Sequence, residues 1–192
     1  EFRRVLFRSR LVTRITVLDF SKTEPVAEYE SENNLVLGLL WTRDNRVLAV
    51  GDQAALVSNG SFEFEAYDYG GREVTALCLT DSRAVVSVSN YAYGGDSTLL
   101  IFGSSVQPVE AALPGRAVQL SSAGSKVAAL LSDQVVAADL VTGEVESYCE
   151  STADTKGLAM ADEGSVYMLG VREIRKENLK VIPAEEELSS AP

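Results

Sequence analysis

The stretch that decides the fold runs Lys126-Val-Ala-Ala-Leu-Leu-Ser-Asp-Gln-Val-Val-Ala-Ala-Asp-Leu-Val-Thr-Gly-Glu-Val-Glu-Ser-Tyr-Cys149. It contains three short apolar, β-branched runs, which are Val127–Leu131, Val135–Leu140 and Glu144–Cys149. Runs of this length bounded by Asp, Ser and Gly predict antiparallel strands joined by tight turns. A further run upstream, Arg116–Ser121, adds a fourth strand, so this part of the chain predicts one four-stranded antiparallel sheet.

The same unit recurs along the chain. An equivalent residue precedes each second strand, and by subtraction these residues are spaced by 37, 43 and 39 positions: Arg46, Arg83, Lys126 and Ser165. Four strands repeated about every 40–45 residues are the signature of a β-propeller. The longest spacing has a visible cause, since Tyr91-Ala-Tyr-Gly-Gly-Asp-Ser97 is inserted where the other units turn tightly.

The repeats predict an all-β fold, a partial ring of four-stranded antiparallel blades. The expected parts are a half blade over 11–30, blades over 33–69, 71–114 and 115–152, a partial blade over 154–182, and a disordered acidic tail over 183–192. We interpret residues 1–9 as a sequencing-adapter or cloning artefact. The two ends either combine to close a four-bladed ring or belong to an arc of a larger ring, and the artefactual start favours the arc.

Composition narrows the functional classes. The net charge of −11 disfavours nucleic acid and anionic membrane surfaces as partners, because both attract basic patches. No run of about 18 apolar residues occurs, so we predict no transmembrane helix and no membrane contact by this chain itself. The chain has no histidine, which excludes His-based triads and His metal sites. We therefore assign no catalytic, cofactor-binding or metal-binding residue.

The remaining reactive or acidic residues have structural interpretations. Cys78 falls on a first strand near the ring axis and Cys149 on a fourth strand near the rim, so we predict that they are unpaired. Asp52 and Asp133 recur at equivalent turns, and Asp is a standard turn residue. The inserted loop is the exception, because Tyr91, Tyr93 and Asp96 lengthen a blade without serving its sheet. These three residues are the predicted partner-binding loop.

The order and spacing of several stretches resemble an uncharacterised Firmicutes family of membrane-anchored proteins with a WD40-like β-propeller domain of unknown function. The stretches are Val17-Leu-Asp-Phe-Ser-Lys-Thr-Glu-Pro-Val-Ala-Glu-Tyr29, Val47-Leu-Ala-Val-Gly-Asp52, Tyr67-Asp-Tyr-Gly-Gly71, Asn90-Tyr-Ala-Tyr-Gly-Gly95 and Val166-Tyr-Met-Leu-Gly-Val-Arg-Glu173. The resemblance covers about residues 10–176, as the C-terminal half of the family's domain. It implies an extracytoplasmic location and an anchoring membrane helix upstream, with a cytoplasmic location as the alternative.

Two functional classes follow from these observations. The first is a non-enzymatic interaction or scaffold module of a bacterial envelope protein, with a protein or a neutral glycan as partner. The second is a propeller enzyme or small-ligand-binding protein whose site lies in the axial channel. Catalysis would require acidic or Tyr side chains from several blades to converge on that channel.

Overall fold

The structure, a computed structural model, describes residues 12–90 and 97–183. Every helix or strand assigned in these ranges is a β-strand, which confirms the all-β prediction. The leading hairpin is β1 (Val12–Val17) and β2 (Ala27–Glu32). The first blade is β3 (Val36–Trp41), β4 (Val47–Gly51), β5 (Ala54–Ser58) and β6 (Phe64–Asp68). The second blade is β7 (Glu73–Leu79), β8 (Ala84–Ser89), β9 (Ser97–Phe102) and β10 (Val109–Ala112).

The third and fourth blades complete the described arc. The third blade is β11 (Gln119–Ala123), β12 (Lys126–Leu130), β13 (Gln134–Asp139) and β14 (Val145–Glu150). The fourth is β15 (Gly157–Asp162), β16 (Ser165–Leu169) and β17 (Ile174–Asn178), followed by the short β18 (Lys180–Val181). Within each blade the strands pair antiparallel in chain order. First strands of successive blades contact one another, which places them at the inner side of the ring.

Stacking of the blades explains why the middle strands read as continuous apolar runs. The second and third strands of each complete blade are buried along nearly their whole length, because neighbouring sheets cover both of their faces. Four apolar clusters result: one joins the hairpin to the first blade, and the other three join the successive blades. The arc is therefore held by face-to-face packing between units rather than by one central core.

The connection into the first blade is fixed by one buried amide. Asn34 is 2% exposed, and its Oδ1 accepts hydrogen bonds from the Gln53 and Ala54 backbone N–H groups at 3.1 and 3.2 Å. Its Nδ2 donates to the Ala54 carbonyl at 3.3 Å. A Cβ at Gly51 would lie 1.9 Å from Asn34 Oδ1, so the turn requires glycine there. Asp52 Oδ1 accepts from the Leu35 N–H at 2.7 Å, as turn chemistry predicts.

Side chains also fasten the third blade to the fourth. The Gln119 amide pairs with the backbone of Leu158, donating to its carbonyl and accepting from its N–H, each at 3.0 Å. At the adjoining turns, Glu163 Oε1 accepts from the backbone N–H and hydroxyl of Ser125 at 2.7 and 2.9 Å. These two donors lower the pKa of the Glu163 carboxyl. A Cβ at Gly124 would lie 2.1 Å from that oxygen, which explains the glycine at φ 57°.

The end of the described chain turns back to the third blade. β17 ends at Asn178, and β18 then pairs antiparallel with β14, with Ser147 opposite Val181. The Ile182 N–H also donates to the Glu146 carbonyl at 2.8 Å. The third blade thus gains a fifth strand, whereas the fourth keeps three. The pairing of β18 with β14 was not predicted from the sequence.

The two ends of the arc stay separate in the described part of the chain. The hairpin β1–β2 and the fourth blade form different sheets, and no strand pairing joins them. Apart from Pro183, the predicted tail over 183–192 lies outside the described residues, and so do residues 1–11. Both cysteines are free thiols, Cys78 half-buried and Cys149 buried, and burial raises the pKa of the Cys149 thiol.

Candidate interaction surface

The first blade exposes a surface that the third and fourth blades bury and that the second blade partly buries. The first strands of the four blades carry a leucine at an equivalent position. Each leucine pairs with the residue three positions after Arg46, Arg83, Lys126 or Ser165 of its own repeat. These leucines are Leu39, Leu77, Leu120 and Leu158. Leu120 and Leu158 are 7% and 5% exposed, since the preceding blade covers them. Leu39 is 58% exposed, because in the described part of the chain only a two-strand hairpin precedes the first blade.

An aromatic corner extends this surface toward the turns. Trp41, which follows Leu39 by two residues, is 53% exposed, and its ring lies 5.4 Å from that of Phe62 between centroids. Together with Phe20, which is fully exposed, these rings line a groove of about 490 Å³ against the hairpin. We call Leu39, Trp41 and Phe62 the leading face.

Phe62 reaches the groove from a strained turn. Asn59 Oδ1 accepts from the Ser61 and Glu63 N–H groups at 2.8 and 3.0 Å, which closes a longer loop than its Asn-Gly pair suggests. Phe62 has φ of 60°, a conformation that costs a bulky L-residue roughly 1–2 kcal/mol. Strain of this kind concentrates where a side chain must be held in place for binding. Here it holds an aromatic ring beside Trp41 at the protein surface.

The fourth blade exposes the opposite kind of face. Tyr167 and Leu169 on β16 are 44% and 50% exposed. The equivalent residues in the three earlier blades are at most 3% exposed: Leu48, Val85 and Ala128 for the first position, and Val50, Ser87 and Leu130 for the second. The neighbouring strand adds Ile174 opposite Leu169 and Lys176 opposite Tyr167. We call Tyr167, Leu169, Ile174 and Lys176 the trailing face.

The two ends of the arc carry opposite charge. Residues 12–32 contain two basic and five acidic side chains, a net −3, and Glu28, Glu30 and Glu32 all lie on the exposed side of β2. Arg14 Nε donates to Glu30 at 2.8 Å, so one of these acids is already paired. Residues 170–183 contain four basic and two acidic side chains, a net +2. Lys176 Nζ lies 5.8 Å from the centre of the Tyr167 ring.

The predicted partner-binding residues Tyr91, Tyr93 and Asp96 lie outside the described residues. Their anchors are described, because Ser89 on β8 pairs with Ser97 on β9. This connection joins the second and third strands of its blade, whereas Trp41 precedes a connection between first and second strands. The described ends of this connection therefore lie at the end of the sheet opposite to the aromatic corner.

The innermost strands offer no shared acidic site in the described ranges. Glu73 begins β7 and pairs with Arg116 at 3.1 Å. Asp162 ends β15, and hydrogen bonds from Ser165 and Gly164 lower the pKa of its carboxyl. Because first strands run in the same direction, these carboxylates lie at opposite ends of the blades. Within residues 12–90 and 97–183 no group of three or more Cys, Asp or Glu side chains could hold a metal ion.

One tyrosine is set apart by its burial. The Tyr69 side chain is fully buried and its hydroxyl has no hydrogen-bond partner among the described residues. Burial raises the pKa of the phenol, so the group stays protonated at neutral pH. A hydroxyl without solvent access cannot reach a substrate, so Tyr69 is a packing residue of the cluster between the first two blades.

No helix long and apolar enough to span a membrane occurs in the described ranges.

The leading face was not found by sequence reasoning. Neither Trp41 nor Phe62 was among the predicted partner-binding residues. A signal was available, since aligning the four repeat anchors places Leu39 in register with three other leucines. The alignment cannot show, however, that only a two-strand hairpin precedes Leu39 in the described part of the chain.

Comparison with known proteins identifies the fold. No protein-family model matches the chain, and no curated protein sequence matches it. Solved β-propeller structures do match: the computationally designed protein Ika4 has a TM-score of 0.58 at 14% identity, over 78% of this chain and 94% of Ika4. Hsv2 from Kluyvelomyces marxianus has a TM-score of 0.58 at 11% identity, over 90% of this chain and 56% of Hsv2.

BamB from Moraxella catarrhalis gives a TM-score of 0.53 at 15% identity, over 88% of this chain and 54% of BamB. This chain thus spans about half the length of Hsv2 and of BamB. At these identities the likeness concerns the fold alone, and it confirms the prediction of a partial β-propeller.

Proposed function

We propose that this chain is a non-enzymatic interaction module whose leading face binds a polypeptide. The observation that carries the proposal is the exposure of Leu39, at a position which the preceding blade buries in the third and fourth units. An apolar blade face is built to pack against another sheet, and its exposure marks an interaction site. The free edge of β1 lies beside it, and an added strand can pair there as in β-augmentation.

The aromatic corner strengthens this assignment. Trp and Tyr side chains dominate binding energy at protein interfaces, and a half-exposed Trp41 held by Phe62 is already oriented for contact. Hydrogen bonds to Asn59 Oδ1 close the Phe62 turn, so little further ordering of this ring is needed on binding. A polypeptide with alternating apolar residues meets these requirements better than a glycan, because the leading face offers few polar groups.

A selection experiment tests the proposed function. Hairpin-forming cyclic peptides displayed as a random library are selected on the immobilised 192-residue chain, and the enriched peptides are measured individually. We expect binding to weaken at least about tenfold for Leu39→Glu, because a carboxylate is placed in an apolar contact. Val141→Glu is the matched control, since Val141 is similarly exposed and lies in the turn between β13 and β14 of the third blade.

The selected peptides are also measured against a second variant, Tyr91→Ala/Tyr93→Ala, which changes the tyrosine loop. We propose Tyr91, Tyr93 and Asp96 as a second contact for a protein or neutral glycan. Peptides that bind Leu39→Glu normally but are lost with Tyr91→Ala/Tyr93→Ala would move the site to the loop. If the selected peptides bind both variants as tightly as the wild-type chain, neither surface is their binding site.

We further propose that the module is part of a bacterial membrane-anchored protein and lies outside the cytoplasm. The support is the family resemblance of residues 10–176. An alkaline-phosphatase fusion to the C-terminus of the full-length protein is expected to be active in cells, because that reporter folds only after export. An inactive fusion, paired with an active cytoplasmic reporter at the same position, would place the module in the cytoplasm instead.

A further inference from the structure

We infer that a cleft between the second and third blades binds a carboxylate group. The cleft has a volume of about 410 Å³ and lies at the end of the blades where first strands turn into second strands. Both blades pack against a described neighbour on each side, so the cleft belongs to the interior of the arc. The site is separate from the leading face. The residues that line it include Ser82, Arg83, Ser122, Gly124, Leu140 and Val141.

The third blade lacks an acidic side chain that the other three blades carry at this end. The residues two positions before Arg46, Arg83, Lys126 and Ser165 are Asp44, Asp81, Gly124 and Glu163. Asp81 reaches back to the first blade, where its Oδ2 accepts from Arg43 Nη2 at 2.9 Å. Glu163 reaches back to the third blade, where its Oε1 accepts from Ser125. Gly124 has no side chain that could reach the second blade, so the cleft occupies the place of a missing carboxylate.

The second blade offers an arginine without a partner to this cleft. Arg83 is equivalent to Arg46, whose Nη1 donates to the Ser104 carbonyl of the next blade. The strand registers make Leu140 the equivalent of Ser104, but the Arg83 guanidinium forms no hydrogen bond or ion pair within residues 12–90 and 97–183. Its Nη1 lies beside Gly103, where an added Cβ would be 3.3 Å away. An unpaired guanidinium suits a carboxylate, because its planar fork matches the two oxygens.

Two serine hydroxyls of the cleft can donate to the same group. Ser82 stands at the position of Ser125, whose hydroxyl donates to the Glu163 carboxylate at the next junction. The Ser82 hydroxyl makes no hydrogen bond in the described ranges. Ser122 Oγ accepts from the Cys78 thiol at 3.4 Å, so its own hydrogen stays available. The cleft therefore combines one cation with two neutral donors.

Charge and the apolar part of the lining narrow the class of ligand. The charged side chains of the lining are Arg83 and Asp81, and Asp81 is already paired with Arg43. The whole chain has a net charge of −11, which disfavours a dianion such as phosphate relative to a carboxylate with one charge. Val141 is 62% exposed and provides an apolar wall. The ligand is a carboxylate on a small apolar group, either a free acid or the C-terminal residue of a polypeptide.

An NMR titration of the 192-residue chain with n-butyrate tests the inference. Binding should be saturable in the millimolar range, since a ligand of few atoms makes few contacts. The amide signals that shift should be those of Ser82, Gly124 and Leu140. The neutral analogue n-butyramide should bind at least about tenfold more weakly, because it cannot form the charge-assisted bonds to Arg83.

Two arginine variants locate the positive charge that matters. Arg83→Met should weaken butyrate binding at least about tenfold, and it should unfold at the wild-type urea concentration because the guanidinium makes no bond in the described ranges. Arg116→Met is the matched control, since Arg116 pairs with Glu73 between the same two blades at their other end. It removes the same charge and should leave binding within about twofold, because salt screens distant charges.

A second variant and a pair of peptides complete the test. Ser122→Ala should also weaken butyrate binding, which keeps the inference testable if Arg83→Met fails to fold. A short peptide ending in valine, with a free or an amidated C-terminus, identifies the source of the carboxylate. Tighter binding of the free-terminus peptide than of butyrate would assign the cleft to a polypeptide, and equal binding would assign it to a small acid.

Three results would overturn the inference. They are an absence of saturable butyrate binding, equal binding of butyrate and butyramide, and butyrate binding that neither Arg83→Met nor Ser122→Ala changes. The leading-face variant Leu39→Glu should bind butyrate normally. The proposed function and the carboxylate site can therefore fail separately.

Discussion

Replacing Phe102 with alanine is expected to lower the free energy of unfolding by about 3–5 kcal/mol, the usual cost of removing a buried phenyl ring. Phe102 ends β9 and is fully buried in the cluster between the first and second blades. It lies opposite Ala84, so no larger neighbour on the paired strand can fill the space. The Tyr67 ring meets it edge-on at 5.5 Å, and that contact is lost as well.

Phe20→Ala is the matched control for this measurement. The same atoms are removed, but the Phe20 side chain is fully exposed, so the change in stability should stay within about 0.5 kcal/mol. Urea unfolding followed by circular dichroism gives both values. Equal effects of the two variants would show that the first and second blades are not packed through Phe102.

The second large effect is expected from Gly51→Ala, which should cost roughly 2–4 kcal/mol. The added Cβ would lie 1.9 Å from Asn34 Oδ1, so the amide must leave its site. The N–H groups of Gln53 and Ala54 then lose their acceptor, and each poorly solvated donor left unpaired costs about 1–3 kcal/mol. The fold should persist, because the apolar faces of the blade are unchanged.

Gly60→Ala provides the control, because no heavy atom lies within 4 Å of its added Cβ. There the substitution should be neutral or stabilising by up to about 1 kcal/mol, through the entropy of the unfolded chain. A double-mutant cycle with Asn34→Ala tests the cause. If Gly51→Ala acts through Asn34, the double variant should be hardly less stable than Asn34→Ala alone. Full additivity would contradict this explanation.

The repeat and most strands could be predicted from the sequence, because both depend on local patterns. The three strands that follow Ser125 were predicted to within about one residue at each end. Their ends are set by Asp, Ser and Gly in tight turns, and such chemistry is visible in the sequence. The left-handed position of Phe62 was missed, because glycine two residues earlier is the usual candidate for it.

Features that depend on distant parts of the chain could not be predicted. β18 has two residues and no alternation of its own, and it is a strand only because the edge of β14 is available. In the sequence the leading face has the pattern of an ordinary inner strand, since Leu39 matches Leu120 and Leu158, which are buried in the third and fourth blades. Its exposure depends on what precedes the first blade, and a local pattern carries no information about that. The tyrosine loop remains a prediction.

The return of β18 to β14 has a consequence for how the arc opens. A terminal repeat contacts one neighbour only, so it normally frays before the interior of a repeat array unfolds. Here the fourth blade cannot detach without also breaking the pairing of Tyr148 with Lys180 and the Ile182–Glu146 hydrogen bond. The third and fourth blades therefore open as one cooperative unit. Within the described residues no strand pairing couples the leading hairpin to the first blade in this way.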